Sequence, residues 1–188
     1  MAKQSNNLIM QDTRGVIGKQ VVFKRRGGVT YVAAAPAINP NRKPTPNQLS
    51  AQNRFAFSAN YAKQAIKDPV MKAMYKLAAS TNQSAFNVAL KDAYNPPEIM
   101  QVITQGYRGQ PGDLILIQVV DDFKVVSVEL VILGSSGSEL ERGSATVSRD
   151  QTLWTYTVSQ QVLLIAGCII VVYASDLPGN RSEYAVMM

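Results

Sequence analysis

Lys91-Asp-Ala-Tyr-Asn-Pro-Pro-Glu-Ile-Met-Gln-Val-Ile103 divides the chain into two kinds of sequence. Up to Tyr94 the apolar residues recur at the helical period. Pro96 and Pro97 then stop the helix, because proline lacks the N–H of the ladder and pushes the residue before it into extended backbone. From Glu98 onward, short β-branched runs alternate with polar residues at period two, as half-buried strands do. The expected fold class is therefore α+β, with the boundary at this Pro-Pro joint.

On the C-terminal side strands are expected at 98–104, 114–120, 125–133, 138–147, 152–158, 168–174 and 183–186. Turn residues separate them at 109–113, 121–122, 134–137, 148–150 and 177–180. Seven strands at this spacing predict an all-β immunoglobulin-like sandwich over 98–188, with Trp154 as a core anchor. Cys168 is the sole cysteine, so an intramolecular disulfide and a Cys-based zinc site are excluded. The apolar run 162–174 is too short for a membrane span, which needs about 20 residues.

Toward the N-terminus the spacing predicts helices over 82–94, 69–79 and 46–67. Asp68-Pro69 and Thr45-Pro46 mark two starts as N-cap plus proline, and Ser80 or Thr81 would cap the third helix. The first helix is expected to carry one face through Leu49, Asn53 or Gln52, Phe55 or Ala56, Ala59 and Ala62 or Ile66. Before it, prolines 36, 40, 44 and 46, with Arg42 and Lys43 among them, form an extended linker. Val21-Val-Phe-Lys-Arg-Arg and Val29-Thr-Tyr-Val flank Gly27-Gly28, a β-hairpin whose glycines supply the positive φ of a tight turn. The expected organisation is a flexible arm at 1–14, a basic hairpin and helical domain at 15–94 (an N-terminal β-hairpin plus a three-helix unit), then the sandwich at 98–188.

Charge separates the same two parts. Residues 1–94 hold nine Lys and five Arg against three Asp, a net +11; residues 95–188 hold one Lys and four Arg against ten acids, a net −5. The basic stretch could meet nucleic acid or an acidic protein surface through Lys19, Phe23, Lys24, Arg25, Arg26, Tyr31, Arg42, Lys43 and Arg54. Phe23 and Tyr31 could stack on bases, but inward packing of both is the preferred reading. No histidine is present, which removes the commonest general base and metal ligand. Gly15-x-x-Gly18 precedes a strand and is not a phosphate loop. Glu139 and Glu141, at i, i+2 on one strand, lack a concave partner for hydrolysis. Asp113, Asp121, Asp122, Asp176 and Asn180 could meet around Ca²⁺, but turn aspartates more often bond their own backbone. No catalytic residue, cofactor or metal is assigned, and an enzyme is not expected.

The pattern Gly15-x-x-Gly18, Val21-Val-Phe23, Gly27-Gly-x-x-Tyr31-Val, Pro36, Asn39-Pro40, Pro44-Thr45, Gln48, Gln52 and Phe55 resembles a family of small, mostly uncharacterised proteins of Bacteroidetes, bacteriophages and prophages. The residues after 98 resemble bacterial immunoglobulin-like modules. Ala33 stands where that family often has an arginine. The resemblance implies a virion-associated structural protein; the N-terminus Met1-Ala-Lys-Gln-Ser-Asn-Asn, with no apolar run behind its lysine, predicts synthesis in the cytoplasm, with work in a virion or extracellular assembly. Its partners would be other copies of itself, as a homo-oligomer or filament, and other virion proteins. The alternative is a nucleic-acid-binding protein using residues 1–94; a carbohydrate- or surface-binding module ranks third.

Overall fold

The computed structural model describes residues 2–4, 13–37, 41, 43–149 and 152–188. Most of the expected arm, Asn39 and Pro40 of the linker, Arg42, and Asp150 of an expected turn lie outside them. The chain divides into two compact units, Met1–Ser50 with Ser80–Gln83, and Ala51–Ala79 with Ser84–Met188. Most of the helical residues thus group with the C-terminal strands and not with the hairpin, a different division from 15–94 and 98–188.

The first unit is an antiparallel sheet of β1 (Ala2–Gln4), β2 (Gly15–Ile17), β3 (Val21–Arg26) and β4 (Val29–Ala34), in the order β1-β4-β3-β2. Gly27 and Gly28, at φ 56° and 79°, make the two-residue turn between β3 and β4. A second tight turn joins β2 to β3: Gly18 and Lys19 take φ 58° and 56°, and the Gln20 N–H donates to the Ile17 carbonyl at 3.1 Å. The expected hairpin is therefore the centre of a wider sheet, and Lys19 is a turn residue.

Three capped helices follow. For α1 (Pro46–Ala65), the Thr45 N–H donates to Gln48 Oε1 at 3.1 Å and the Gln48 N–H to Thr45 Oγ1 at 3.3 Å, a reciprocal capping box. α2 (Pro69–Leu77) is capped by Asp68, which accepts from the Val70 N–H at 2.8 Å. α3 (Ala85–Tyr94) is capped by Ser84, not by Ser80 or Thr81. Asn82 sits at φ 67°, a left-handed conformation that cannot join a right-handed helix, so the helix starts late.

The helices share a core of Ala62, Ala65, Tyr75, Ala85, Val88 and Ala89, onto which Phe123 and Leu177 pack from loops between strands. The buried positions of α1 are Ser58, Ala62 and Ala65. Leu49, Phe55 and Phe57 are 46%, 54% and 61% exposed, so the expected face is not buried at Leu49 and Phe55.

The remaining chain forms a two-sheet body. One sheet comprises β5 (Glu98–Ile103), β6 (Leu114–Val120), β9 (Thr146–Val147) and β10 (Leu153–Thr157), ordered β5-β6-β10-β9. The other comprises β7 (Val125–Leu133), β8 (Glu139–Ser144), β11 (Ile169–Asp176) and β12 (Arg181–Met187), ordered β12-β11-β7-β8. Alternate residues of both sheets enter one core: Ile115, Ile117, Val119, Trp154 and Tyr156 from the first, Val128, Leu130, Ile132, Ile170 and Val172 from the second. The single strand expected over 138–147 is two. The chain passes from one sheet to the other at buried Ala145, whose N–H donates to the Val128 carbonyl at 2.8 Å: β8 before it pairs β7, and β9 after it pairs β10. Among the described residues no helix is long and apolar enough to cross a membrane.

Candidate functional site: a buried aspartate cluster

Three carboxylates converge where α3 meets the two-sheet body. Asp92 lies near the end of α3, Asp121 directly follows β6, and Asp176 ends β11. One oxygen from each lies within 4.8 Å of the other two. Asp92 is 0% exposed and Asp176 4%. Asp121, half-buried, lines a surface cleft of about 490 Å³ together with Asn95, Pro97 and Asp122, so it is the solvent side of the cluster.

The hydrogen bonds hold some of these oxygens and leave others bare. Asp92 Oδ2 accepts from the Tyr75 hydroxyl at 2.6 Å, and Tyr75 lies 2.9 Å from the Tyr61 hydroxyl. Since Tyr75 has one proton and gives it to Asp92, Tyr61 donates to Tyr75. Asp121 Oδ2 accepts from the Lys124 N–H at 2.9 Å. Asp176 accepts from the Asn180 N–H at 2.6 Å and from Asn180 Nδ2 at 2.7 Å. Asn180 Nδ2 also approaches the carbonyls of Asp92 and Ala93 at 3.4 and 3.3 Å, tying α3 to the β11–β12 turn. Asp92 Oδ1 and Asp121 Oδ1 are buried without a partner.

Burial first, then the negative charges of Asp121, Asp176 and Asp122, push the Asp92 carboxyl up to about 7. Burial likewise raises Asp176 against its Asn180 hydrogen bonds. Asp122 behaves differently: burial opposes its ionisation, but Asn95 Nδ2 at 2.6 Å and Lys91 Nζ at 2.5 Å outweigh that and hold it below the usual carboxylate range.

Of the residues weighed for Ca²⁺, Asp121, Asp176 and Asn180 come together. Asp113 only braces its own loop, accepting from the Arg108 and Gln110 N–H groups at 2.7 and 2.9 Å. Asp122 is engaged by Lys91. Asp92 is the member that sequence reasoning missed. It follows Lys91 on a helix and reads as a solvated charge, although Val88, Ala89 and Ala93 around it are the buried positions of that helix. Glu139 and Glu141 also separate: Glu139 pairs with Arg142 at 2.7 Å, whereas Glu141 is buried and accepts from the Tyr156 hydroxyl and the Ser159 N–H at 2.8 and 2.6 Å.

The residues expected to dock or touch nucleic acid distribute as follows. Cross-strand register pairs Phe23 with Val32 and Lys24 with Tyr31, which puts buried Phe23 and Arg25 on one face and Lys24, Arg26 and Tyr31 on the other. Phe23 and Tyr31 thus do not pack inward together. Lys43 is exposed, Arg42 is outside the described residues, and Arg54 on α1 stacks its guanidinium 4.2 Å above the Tyr94 ring.

No family model and no curated protein matches the chain. Two solved structures are similar to parts of it. CopC from Methylosinus trichosporium OB3b is 14% identical, with TM-score 0.36, over 47% of this chain and 87% of that one. The surface-layer protein SbsC, domains 1–6, is 16% identical, with TM-score 0.33, over 76% of this chain and 23% of that one.

Proposed function

We propose that the chain is a non-enzymatic structural subunit of a repeating assembly, of the phage or phage-derived virion or filament kind, in which the basic N-terminal sheet docks onto the acidic two-sheet body of a second copy and the exposed apolar side chains of α1 are covered by a neighbouring copy. The observation that carries this reading is the exposure of Leu49, Phe55 and Phe57, which lie on different sides of one helix. They stand among polar neighbours such as Gln52, Asn53 and Arg54, and large apolar side chains left in water are surface that a partner can cover. Burial of each such side chain is worth about 1.5–3 kcal/mol. The opposite charges of residues 1–94 and 95–188 favour a second copy as the cover. A basic-to-acidic contact of this kind is heterologous and propagates wherever its rotation does not close.

We read the two-sheet body as immunoglobulin-like. Lettered in chain order with β8 as C′, its strands run A-B-E-D in one sheet and G-F-C-C′ in the other, the order of that sandwich. Trp154 falls on strand E of that scheme, not on strand C.

Size-exclusion chromatography with light scattering tests the assembly. A mass above the monomer that grows with concentration is expected, reduced by Phe55→Ala with Phe57→Ala and by high salt. A strict monomer at high concentration would sink the reading.

A second reading rests on one specific observation: Tyr31 directly faces Lys24, with Arg26 on the same face, an aromatic flanked by cations that suits a single-stranded nucleic acid. Its binding would weaken steeply with salt and with Lys24→Glu and Arg26→Glu. Absence of a salt-sensitive shift of DNA or RNA removes it.

A further inference from the structure

We propose that Asp92, Asp121 and Asp176 form a binding site for a hard divalent cation, Ca²⁺ in preference to Mg²⁺, which clamps α3 to the β6–β7 and β11–β12 loops. The acidic cluster alone would not carry this. The independent observation is Asp92, a side chain fully withdrawn from solvent whose Oδ1 has no hydrogen-bond partner and whose carboxylate reaches into the cluster. Asp121 Oδ1 is orphaned in the same way. An unpaired buried carboxylate oxygen carries a desolvation cost that a protein group, a bound proton or an ion offsets. Among the described residues the ammonium at this joint, Lys91, pairs with Asp122 and not with Asp92 or Asp121.

The ligand chemistry selects the ion. All three donors are carboxylate oxygens, which suit hard cations and not the softer metals that take imidazole or thiolate. Oxygens on opposite sides of Ca²⁺ sit about 5 Å apart, and those around Mg²⁺ about 4 Å, from metal–oxygen distances of 2.3–2.6 and 2.0–2.1 Å. Every separation in the set is at most 4.8 Å, so Ca²⁺ can bridge it as it stands, whereas Mg²⁺ requires each to be no more than about 4 Å. The donors come from a helix, a loop and a strand end, an irregular arrangement that Ca²⁺ tolerates and octahedral Mg²⁺ does not. Of the three aspartates Asp121 alone also lines the surface cleft, which leaves open space beside it for waters to complete the ion's shell. Asn180, which bridges Asp176 to the end of α3, holds two of the donors in register before the ion arrives.

The test uses the full-length protein, stripped with a chelator and titrated with CaCl₂ or MgCl₂, read by calorimetry and thermal melting. One Ca²⁺ per chain is expected, with a rise in Tm of about 5–10 °C at 100-fold excess over Kd. MgCl₂ should give a smaller rise. Asp121→Asn and Asp92→Asn should each weaken Ca²⁺ binding at least about tenfold. Asp92→Asn, by relieving the repulsion, should melt no lower than the wild type without cation, which separates loss of binding from loss of fold. Absence of heat and of any Tm shift at millimolar CaCl₂ overturns the proposal, as does a calcium response that survives unchanged in both variants.

Discussion

Glu141 is a carboxylate kept ionised inside an apolar body. Burial works against its charge, but the N–H and hydroxyl of Ser159, the Tyr156 hydroxyl and the Gln160 N–H outweigh that and set its pKa below the ordinary glutamate value. A depressed folded pKa stabilises the native state fully above the unfolded value of about 4.3, and that stability is lost as pH falls through the lower folded pKa. Glu141→Gln should therefore cost about 1–3 kcal/mol at neutral pH. Urea titrations at a series of pH values should show the gap between variant and wild type closing as the solution is acidified. Its neighbour Gly143 meets a steric demand: a Cβ there would sit 2.9 Å from Tyr156 Cε2 and 3.0 Å from its hydroxyl. Gly143→Ala should destabilise by about 1–3 kcal/mol, measured by denaturant midpoint, because the ring that donates to Glu141 must move. Neither role is written in the local sequence, where Glu139 and Glu141 look alike; only the fold distinguishes the exposed residue from the buried one.

At the scale of elements, caps set where the helices begin. Ser84 Oγ accepts from the Asn87 N–H at 3.2 Å, so Ser84→Ala should lower stability by about 1 kcal/mol, visible in far-ultraviolet circular dichroism melts. Most strand positions can be read from the sequence because alternation between apolar and polar residues survives in the folded sheets; β6 and β7 fall at the expected residues. The misses have physical causes. Glu139 through Val147 reads as one run, since no Gly-Pro signal marks Ala145, and the change of sheet is made by an alanine small enough to turn inward. The β2–β3 turn is only half written in the sequence: Gly18 suits its left-handed backbone, but Lys19 adopts the same conformation without being Gly or Asn. In α1 the fully buried side chains are Ser and Ala, while Leu49, Phe55 and Phe57 face water, the reverse of what hydrophobic periodicity assumes. The carboxylate cluster was half legible: loop aspartates announce themselves, and a helical one does not.

At the scale of the molecule, the helices are fastened to the two-sheet body by Phe123 and Leu177 in the helical core, by the Tyr75–Phe123 ring contact at 4.5 Å, and by Lys91 and Asn95 on Asp122. Trp154, the sole tryptophan, lies in the core of the two-sheet body. Its fluorescence and the helical dichroism at 222 nm should lose their native values at the same temperature; a helical transition clearly below the tryptophan one would show that the joint is not cooperative. The change of sheet at Ala145 has a mechanical consequence. The chain leaves β8 on one sheet and enters β9 on the other within a single residue, so covalent backbone straps the two layers together along one edge. A load that slides one layer over the other is then borne by peptide bonds at residues 144–146 as well as by side-chain packing, and the body resists shear from that edge as a laced seam does.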